Sequence, residues 1–174
     1  MSFSTYSQAY LTVFREDMKQ HFHLVDHAEY RDRYFPLYAV YQHEDRATLI
    51  SRNGKSVCSY EFCYFDTCEQ LTEQALDDYF AVLEDMCARY VPWTERSHGY
   101  TMLSLVILTG SAPDRAMQKR IRKFKHEEKR RRPEDGYGWC SARICVIDVT
   151  SGALYVNGHG KELANRVKMT LKHI

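Results

Sequence analysis

The chain has 174 residues, of which 44% are hydrophobic and 13% aromatic, enough for one globular domain with its own core. Its 24 Lys and Arg residues are balanced by 23 Asp and Glu residues, so no overall charge marks a nucleic-acid or membrane protein. The longest apolar run, residues 102–108, is far shorter than the about 20 residues that span a membrane. The first residues also lack the pattern of a secretory signal. We therefore expect a single cytoplasmic domain over residues 1–174.

Six cysteines stand at positions 58, 63, 68, 87, 140 and 145. Their spacing contains no C-x-x-C pair and is not that of a small secreted disulfide scaffold. Cysteines five residues apart on an extended strand point to opposite faces, so neighbouring ones do not converge on a metal ion. We expect reduced, mostly buried thiols and no cofactor.

The N-terminal segment has the periodicity of a helix. Tyr10, Phe14 and Met18 recur every four residues, which places them on one face of a helix over about residues 5–21. The following residues, 23–34, are polar and aromatic without a clear period. We expect them to form a connector.

Three strands are predicted next, over residues 35–41, 47–51 and 56–65. Asn53 and Gly54 separate the second strand from the third. This pair is typical of a two-residue hairpin turn because both residues tolerate positive φ.

A second helix is predicted over residues 68–90, with Asp66 or Thr67 as its cap and Pro92 after its end. Residues 100–109 are then almost continuously apolar. Such a run indicates a central strand that is covered on both faces.

The third predicted helix extends to about residue 132. Ser111 and Asp114 match the capping-box pattern at its start, with the acid three residues after the cap. Within residues 114–132, ten Lys or Arg residues outnumber three acids, a local charge of +7. This helix is therefore predicted to lie on the surface of the fold.

A loop over residues 133–138 leads to a hairpin of strands 139–149 and 153–156, and a last helix is predicted over residues 161–172. The order of elements is α-β-β-β-α-β-α-β-β-α. This order predicts an α+β fold in which helices pack on a mixed, mainly antiparallel sheet of about six strands.

The basic helix is the strongest functional signal in the sequence. A row of cations attracts phosphates, and aromatic side chains beside it can stack on bases. The candidate partner-binding residues are Arg115, Lys119, Arg122, Lys123, Arg130, Arg131, Tyr137 and Trp139. The alternative is an ordinary solvated face, because residues 66–89 carry a local charge of −6 that can offset the basic helix.

These observations favour a non-enzymatic, intracellular binding or regulatory domain of otherwise unknown function. Its partner would be a nucleic acid or an acidic protein surface that contacts the basic helix over residues 115–132. No segment predicts a contact with a membrane.

A hydrolase, such as a metal-dependent nuclease, is the first alternative. Its site would lie at one end of the sheet, with Glu61, His98 and Asp148 as candidate catalytic residues. Asp148 also precedes a predicted turn, which is a structural reason for an acid there. The chain has no G-x-S-x-G, no phosphate-binding glycine loop and no acid-x-Lys pair on a predicted strand.

A histidine cluster gives the only candidate metal ligands, His21, His23 and His27. A metal site also needs a further ligand and a rigid frame, and these residues straddle the predicted end of a helix. Solvent-exposed histidines are the simpler interpretation, so no metal is predicted.

Self-association is the remaining alternative. Residues 30–41 include five aromatic side chains. An exposed aromatic patch usually marks a partner surface, so a homo-oligomer formed through this segment is a further hypothesis.

Overall fold

A mixed sheet of seven strands lies between two layers of helices in a computed structural model, which describes residues 2–45, 57–132 and 136–172. The helices are α1 (Phe3–Met18), α2 (Glu73–Tyr90), α3 (Arg115–Lys123) and α4 (Lys161–Leu171), with a 3-10 turn at Gly158–Gly160. The strands are β1 (His23–Tyr30), β2 (Arg33–Asp45), β3 (Val57–Cys68), β4 (His98–Thr109), β5 (Glu127–Arg132), β6 (Gly136–Asp148) and β7 (Ala153–Val156).

The strands lie in the order β1-β2-β3-β4-β6, and β5 and β7 share the far edge of β6. Strands β3, β4 and β6 run parallel to one another, whereas the pairs β1–β2, β2–β3, β5–β6 and β6–β7 are antiparallel. The predicted α+β class and its mixed, mainly antiparallel sheet are confirmed. The order of elements is also confirmed, and the structure adds one strand.

Strand β4 is central, as its apolar sequence predicted. Leu103, Leu105 and Ile107 belong to the core cluster beneath α2 and α3. Val106 and Leu108 belong to the cluster beneath α1 and α4. None of these five side chains is more than 1% exposed, so the strand is covered on both faces.

The helical periodicity of the sequence identified the inner face of α1 correctly, because Tyr10, Phe14 and Met18 are all buried. Helix α2 starts later than predicted. Thr72 caps it by accepting a hydrogen bond from the Ala75 backbone N–H at 3.1 Å. The predicted cap at Asp66 or Thr67 is wrong because β3 continues through both residues. Within the described ranges, every helix is too short or too polar to span a bilayer.

The connector expected over residues 23–34 contains strand β1 instead. This strand pairs antiparallel with β2 along most of its length, from His23 opposite Val40 to Tyr30 opposite Arg33. Pairing with a neighbour therefore makes a strand from a sequence without clear alternation. The predicted strand over residues 47–51 and the turn at Asn53-Gly54 lie outside the described residues.

The helix predicted to reach residue 132 is wrong beyond Lys123. Phe124 leaves the helical conformation with ψ at 126°, and residues Glu127–Arg132 form β5. Strand β5 pairs with the first half of β6, whose backbone groups would otherwise lack strand partners on that side. This tertiary pairing outweighs the helix propensity of the charged segment.

The six cysteines are free thiols, and four of them are buried. Burial raises the pKa of the Cys63 thiol to about 12. This arrangement agrees with the reduced, mostly buried thiols expected from the sequence.

Candidate anion-binding surface

Helix α3 is held on the sheet by a narrow apolar seam. Met117 and Ile121 are buried in the same core cluster as α2. Asp114 caps the helix by accepting a hydrogen bond from the Met117 backbone N–H at 2.8 Å. The capping box predicted at Ser111 is therefore wrong, and Ser111 instead offers its carbonyl to the Thr109 hydroxyl at 2.9 Å. Two apolar side chains and one cap orient the helix, which leaves its other side to solvent.

Four cations form a line along this outer side. Arg115, Lys119, Arg122 and Lys123 are all exposed. Lys119 lies four residues from Arg115 and three and four residues from Arg122 and Lys123, so the four are neighbours on the helix surface over about 12 Å. None of them forms an ion pair within the part of the chain that the structure describes. We call these four residues the α3 stripe.

Shallow concavities border the α3 stripe. One, of about 510 Å³, is lined by the stripe itself and Gln118. A second, of about 350 Å³, continues from Gln118 and Arg122 past Tyr155 to Lys161. Lys161 is exposed and begins α4. The stripe therefore opens onto a surface that an elongated anion could follow.

The acidic and basic helices contact each other. Arg120 of α3 pairs with Asp77 of α2, and the rings of Phe80 and Phe124 stack beside this pair. Arg120 is thus neutralised within the fold, in the manner expected if the charged helices offset each other. The contact involves Arg120 and leaves the α3 stripe unpaired, so it offsets the basic charge only in part.

The other predicted partner-binding residues lie away from the α3 stripe because the chain turns after Lys123. Arg130, on β5, places its guanidinium over the Trp93 ring at 4.5 Å and pairs with Glu128 at 2.7 Å. Arg131 is exposed on the same strand. Trp139 lies on β6 in a separate groove. The side chain of Tyr137 lies outside the described part of the structure.

The candidate catalytic residues do not come together. His98 starts β4, whereas Asp148 is aligned with Thr109 at the other end of that 12-residue strand. Such a strand spans about 36 Å. Glu61 is aligned with Met102, between these ends, so the three do not form one site.

Each candidate catalytic residue has structural contacts of its own. Glu61 accepts a hydrogen bond from Arg143 at 3.1 Å, and His98 Nε2 lies 2.9 Å from the Thr101 hydroxyl. Asp148 accepts hydrogen bonds from the Thr150 and Ser151 hydroxyls at 2.7 and 2.6 Å. Asp148 thus has the turn-forming position that the sequence indicated.

The three candidate metal ligands are exposed and separate. His21 follows α1, while His23 and His27 stand four residues apart in β1, or about 13 Å along a strand. In the described ranges, no group of three His, Cys, Asp or Glu side chains is placed to hold a metal ion.

The aromatic segment proposed for self-association is mostly covered. Tyr30 and Phe35 are buried, and Tyr38 and Tyr41 are half-buried. Tyr34 is 68% exposed and is the main aromatic side chain of this segment that a second copy could contact. Self-association stays a prediction.

Sequence reasoning missed Lys161 and Arg143, both of which line concavities. Lys161 comes near α3 only through the fold. Arg143 could have been identified from the sequence, because it is a single charged residue inside the buried run of β6. A buried arginine in a strand calls for a partner, which the structure supplies as Glu61.

Comparison with known proteins gives a family and no function. No curated protein and no solved structure matches the chain. One family model matches residues 6–169, which is nearly the whole sequence, and its description is a domain of unknown function. The chain therefore belongs to the family of the domain of unknown function DUF8052.

Proposed function

We propose that this chain is a non-enzymatic binding domain whose α3 stripe contacts a polyanionic partner. The observation that carries the proposal is the row of four exposed cations without ion-pair partners among the described residues, on a helix whose orientation is set by buried side chains. Because Met117 and Ile121 anchor α3, the stripe needs no rearrangement to meet a partner.

The chemistry of the α3 stripe suits repeated phosphate groups. Arg and Lys contacts to phosphates supply affinity and position but carry no sequence information directly. We therefore infer binding to a nucleic-acid backbone with little sequence preference. The concavity that runs towards Lys161 would extend the contact beyond the helix.

An acidic protein surface is the second candidate partner. The observation that favours it is the Arg120–Asp77 pair, because an acidic helix of this chain already packs beside α3 through an Arg–carboxylate contact. Such a partner would use the same cations without phosphate groups.

The test is a fluorescence-anisotropy titration with labelled single- and double-stranded oligonucleotides between about 50 and 300 mM salt. Four neutralised phosphates give a log–log salt slope of about −3.6 for a duplex and about −2.8 for a single strand. The variant R115Q/K119Q/R122Q should remove about 2.7 from the duplex slope and weaken binding at every salt concentration.

The matched control is K19Q/K168Q/K172Q, which removes the same charge from three exposed lysines at the C-terminal ends of α1 and α4. Equal losses in both variants would contradict the proposal, because the binding would then follow net charge rather than the stripe. Binding of labelled polyglutamate, with no binding to either oligonucleotide, would favour the acidic protein partner.

A further inference from the structure

A wide, open groove lies on the sheet face opposite to α3. Helices α1 and α4 cover this face over the second halves of β4 and β6, where Val106 and Cys145 are buried. Nearer the starts of these strands the same face is open. Met102, Trp139, Ser141 and Arg143 line a concavity of about 920 Å³ there, between β5 and the start of α4. We call it the sheet groove, and its volume is within the range of small-molecule sites.

Two aromatic rings form a platform beside the sheet groove. Tyr100 and Trp139 are direct partners on β4 and β6, and their rings stack with centroids 5.1 Å apart and planes at 24°. Both side chains are half-buried. An indole face of this kind stacks on planar ligands such as nucleic-acid bases.

Arg143 lies in the floor of the sheet groove with 9% of its side chain exposed. Its Nε donates to the Ser104 hydroxyl at 2.9 Å, and Nη2 donates to Glu61 at 3.1 Å. An arginine has five N–H donors in a planar fork, so these two bonds leave others for a ligand. Glu61 balances the charge of Arg143. The floor therefore offers hydrogen bonds to a polar ring edge rather than a strong net charge.

The rim of the sheet groove holds two lysines that can contact an anionic group, beside two carboxylates, Glu127 and Glu162. Lys129 and Lys161 are exposed there, with His159 between β5 and α4. Of the two rim carboxylates, Glu127 is engaged by Lys129 at 3.0 Å and by His159 at 3.7 Å. Hydrogen bonding by Lys129 lowers the pKa of Glu127 below its ordinary range, as expected for a carboxylate surrounded by cations.

We propose that the sheet groove binds a small planar heteroaromatic anion with the chemistry of a mononucleotide. The ring stacks on Trp139, its polar edge accepts hydrogen bonds from Arg143 and Ser141, and its anionic group contacts Lys129 and Lys161. This site is separate from the α3 stripe, which lies on the other side of the sheet. The two surfaces share Lys161, which borders concavities on both sides.

The test uses the fluorescence of Trp139. The chain has two tryptophans, so the variant W93F leaves Trp139 as the only one. Adenosine monophosphate, adenosine and inorganic phosphate are titrated in turn. Adenosine monophosphate should change the Trp139 emission saturably, with a dissociation constant at or below about 1 mM. Adenosine should bind at least about tenfold more weakly, because it lacks the charged group that the rim lysines contact.

Three variants separate the parts of the site. K129Q/K161Q should weaken adenosine monophosphate about tenfold without changing adenosine. R143K should weaken both ligands, because a lysine lacks the planar fork that faces the ring edge. The control K19Q/K168Q removes the same charge elsewhere and should change neither.

The proposal is overturned if adenosine monophosphate gives no saturable change up to about 1 mM, or if K129Q/K161Q binds it as tightly as the control does.

The variant R115Q/K119Q/R122Q separates the two surfaces. Unchanged binding of adenosine monophosphate supports the sheet groove, and its loss would assign the signal to the α3 stripe instead. If W93F does not fold, calorimetry instead compares the binding of adenosine monophosphate to the unaltered chain and to W139L.

Discussion

The ring of Phe124 lies parallel to the ring of Phe80, with 4.3 Å between the ring centroids and 3° between the planes. Phe124 directly follows the last residue of α3, and Phe80 lies in the middle of α2. The contact therefore holds the end of the basic helix against the acidic one. It also directs the chain into β5, which separates Arg130 and Arg131 from the α3 stripe.

Removing the Phe124 ring should destabilise the fold. We expect F124A to lower the free energy of unfolding by about 2–3 kcal/mol, since a half-buried aromatic contact and its packing are lost. F124L should recover part of this loss because it restores apolar volume without the stacked ring. Urea denaturation followed by circular dichroism measures both. Equal stability of F124A and the unaltered chain would contradict the structural role given to this contact.

Releasing Arg120 from Asp77 should strengthen binding of a polyanion. In D77N, Arg120 becomes available beside the α3 stripe, and one more neutralised phosphate would steepen the duplex salt slope by about 0.9. The stability should change by less than about 1 kcal/mol because Asp77 is exposed and Arg120 is only half-buried. D78N is the matched control, because it makes the same charge change one residue away, where Asp78 bonds Gln74 instead of an arginine. Equal slopes for D77N and D78N would rule out a role for Arg120.

Asn157 lies beside the edge of β6, in the gap between the part that pairs with β5 and the part that pairs with β7. Its side chain makes the hydrogen bonds there that a neighbouring strand would otherwise make. Its side-chain oxygen accepts from the Ile144 N–H at 3.1 Å, and its amide donates to the carbonyls of Ala142 and Phe124 at 3.0 and 3.2 Å. The side chain is buried, with 1% of the residue exposed.

Loss of the Asn157 amide should therefore be costly. We expect N157A to lower the free energy of unfolding by about 2–4 kcal/mol, since three backbone groups lose their partner at once. N157D should be nearly as unstable, because a carboxylate cannot donate to two carbonyls. N165A, at an exposed position on α4, should stay within about 0.5 kcal/mol of the unaltered chain. Thermal melts of the four proteins give the comparison, and a stable N157D would refute this account.

The acid stability of the fold should depend on Asp148. Burial by itself would raise the pKa of Asp148, but hydrogen bonds from Ser151 and Thr150 together lower it below its ordinary value. The folded state then holds this proton less tightly than the unfolded state. Asp148 therefore contributes its stability above the unfolded pKa of about 3.9 and loses it as the pH falls through the lower, folded pKa.

D148N should thus lower the free energy of unfolding by about 1–2 kcal/mol near pH 7, where the charged hydrogen bonds are intact. Its disadvantage should shrink as the pH falls below about 4. Denaturation midpoints measured across this range test the sign. D32N, in the exposed turn between β1 and β2, serves as the control, and a parallel fall of D148N and the unaltered chain at all pH values would contradict the prediction.

Local patterns in the sequence were sufficient for the fold class and for the main helices and strands. The four-residue recurrence of Tyr10, Phe14 and Met18 identified the buried face of α1, and the apolar run of β4 identified the central strand. Asp148 was recognised as a turn residue. Each of these inferences depends on a side chain and its near neighbours in the chain, where helical and strand periods act directly.

The tertiary structure decided what depends on distant partners. The residues of β1 and β5 form strands because they pair with β2 and with the edge of β6 through backbone hydrogen bonds. The charged sequence of β5, taken alone, favours a helix. Pairing between Arg120 and Asp77, and between Arg143 and Glu61, likewise joins residues far apart in sequence. The α3 stripe and the sheet groove could be located only once these long-range contacts had fixed which charges remain unpaired and which sheet face remains open.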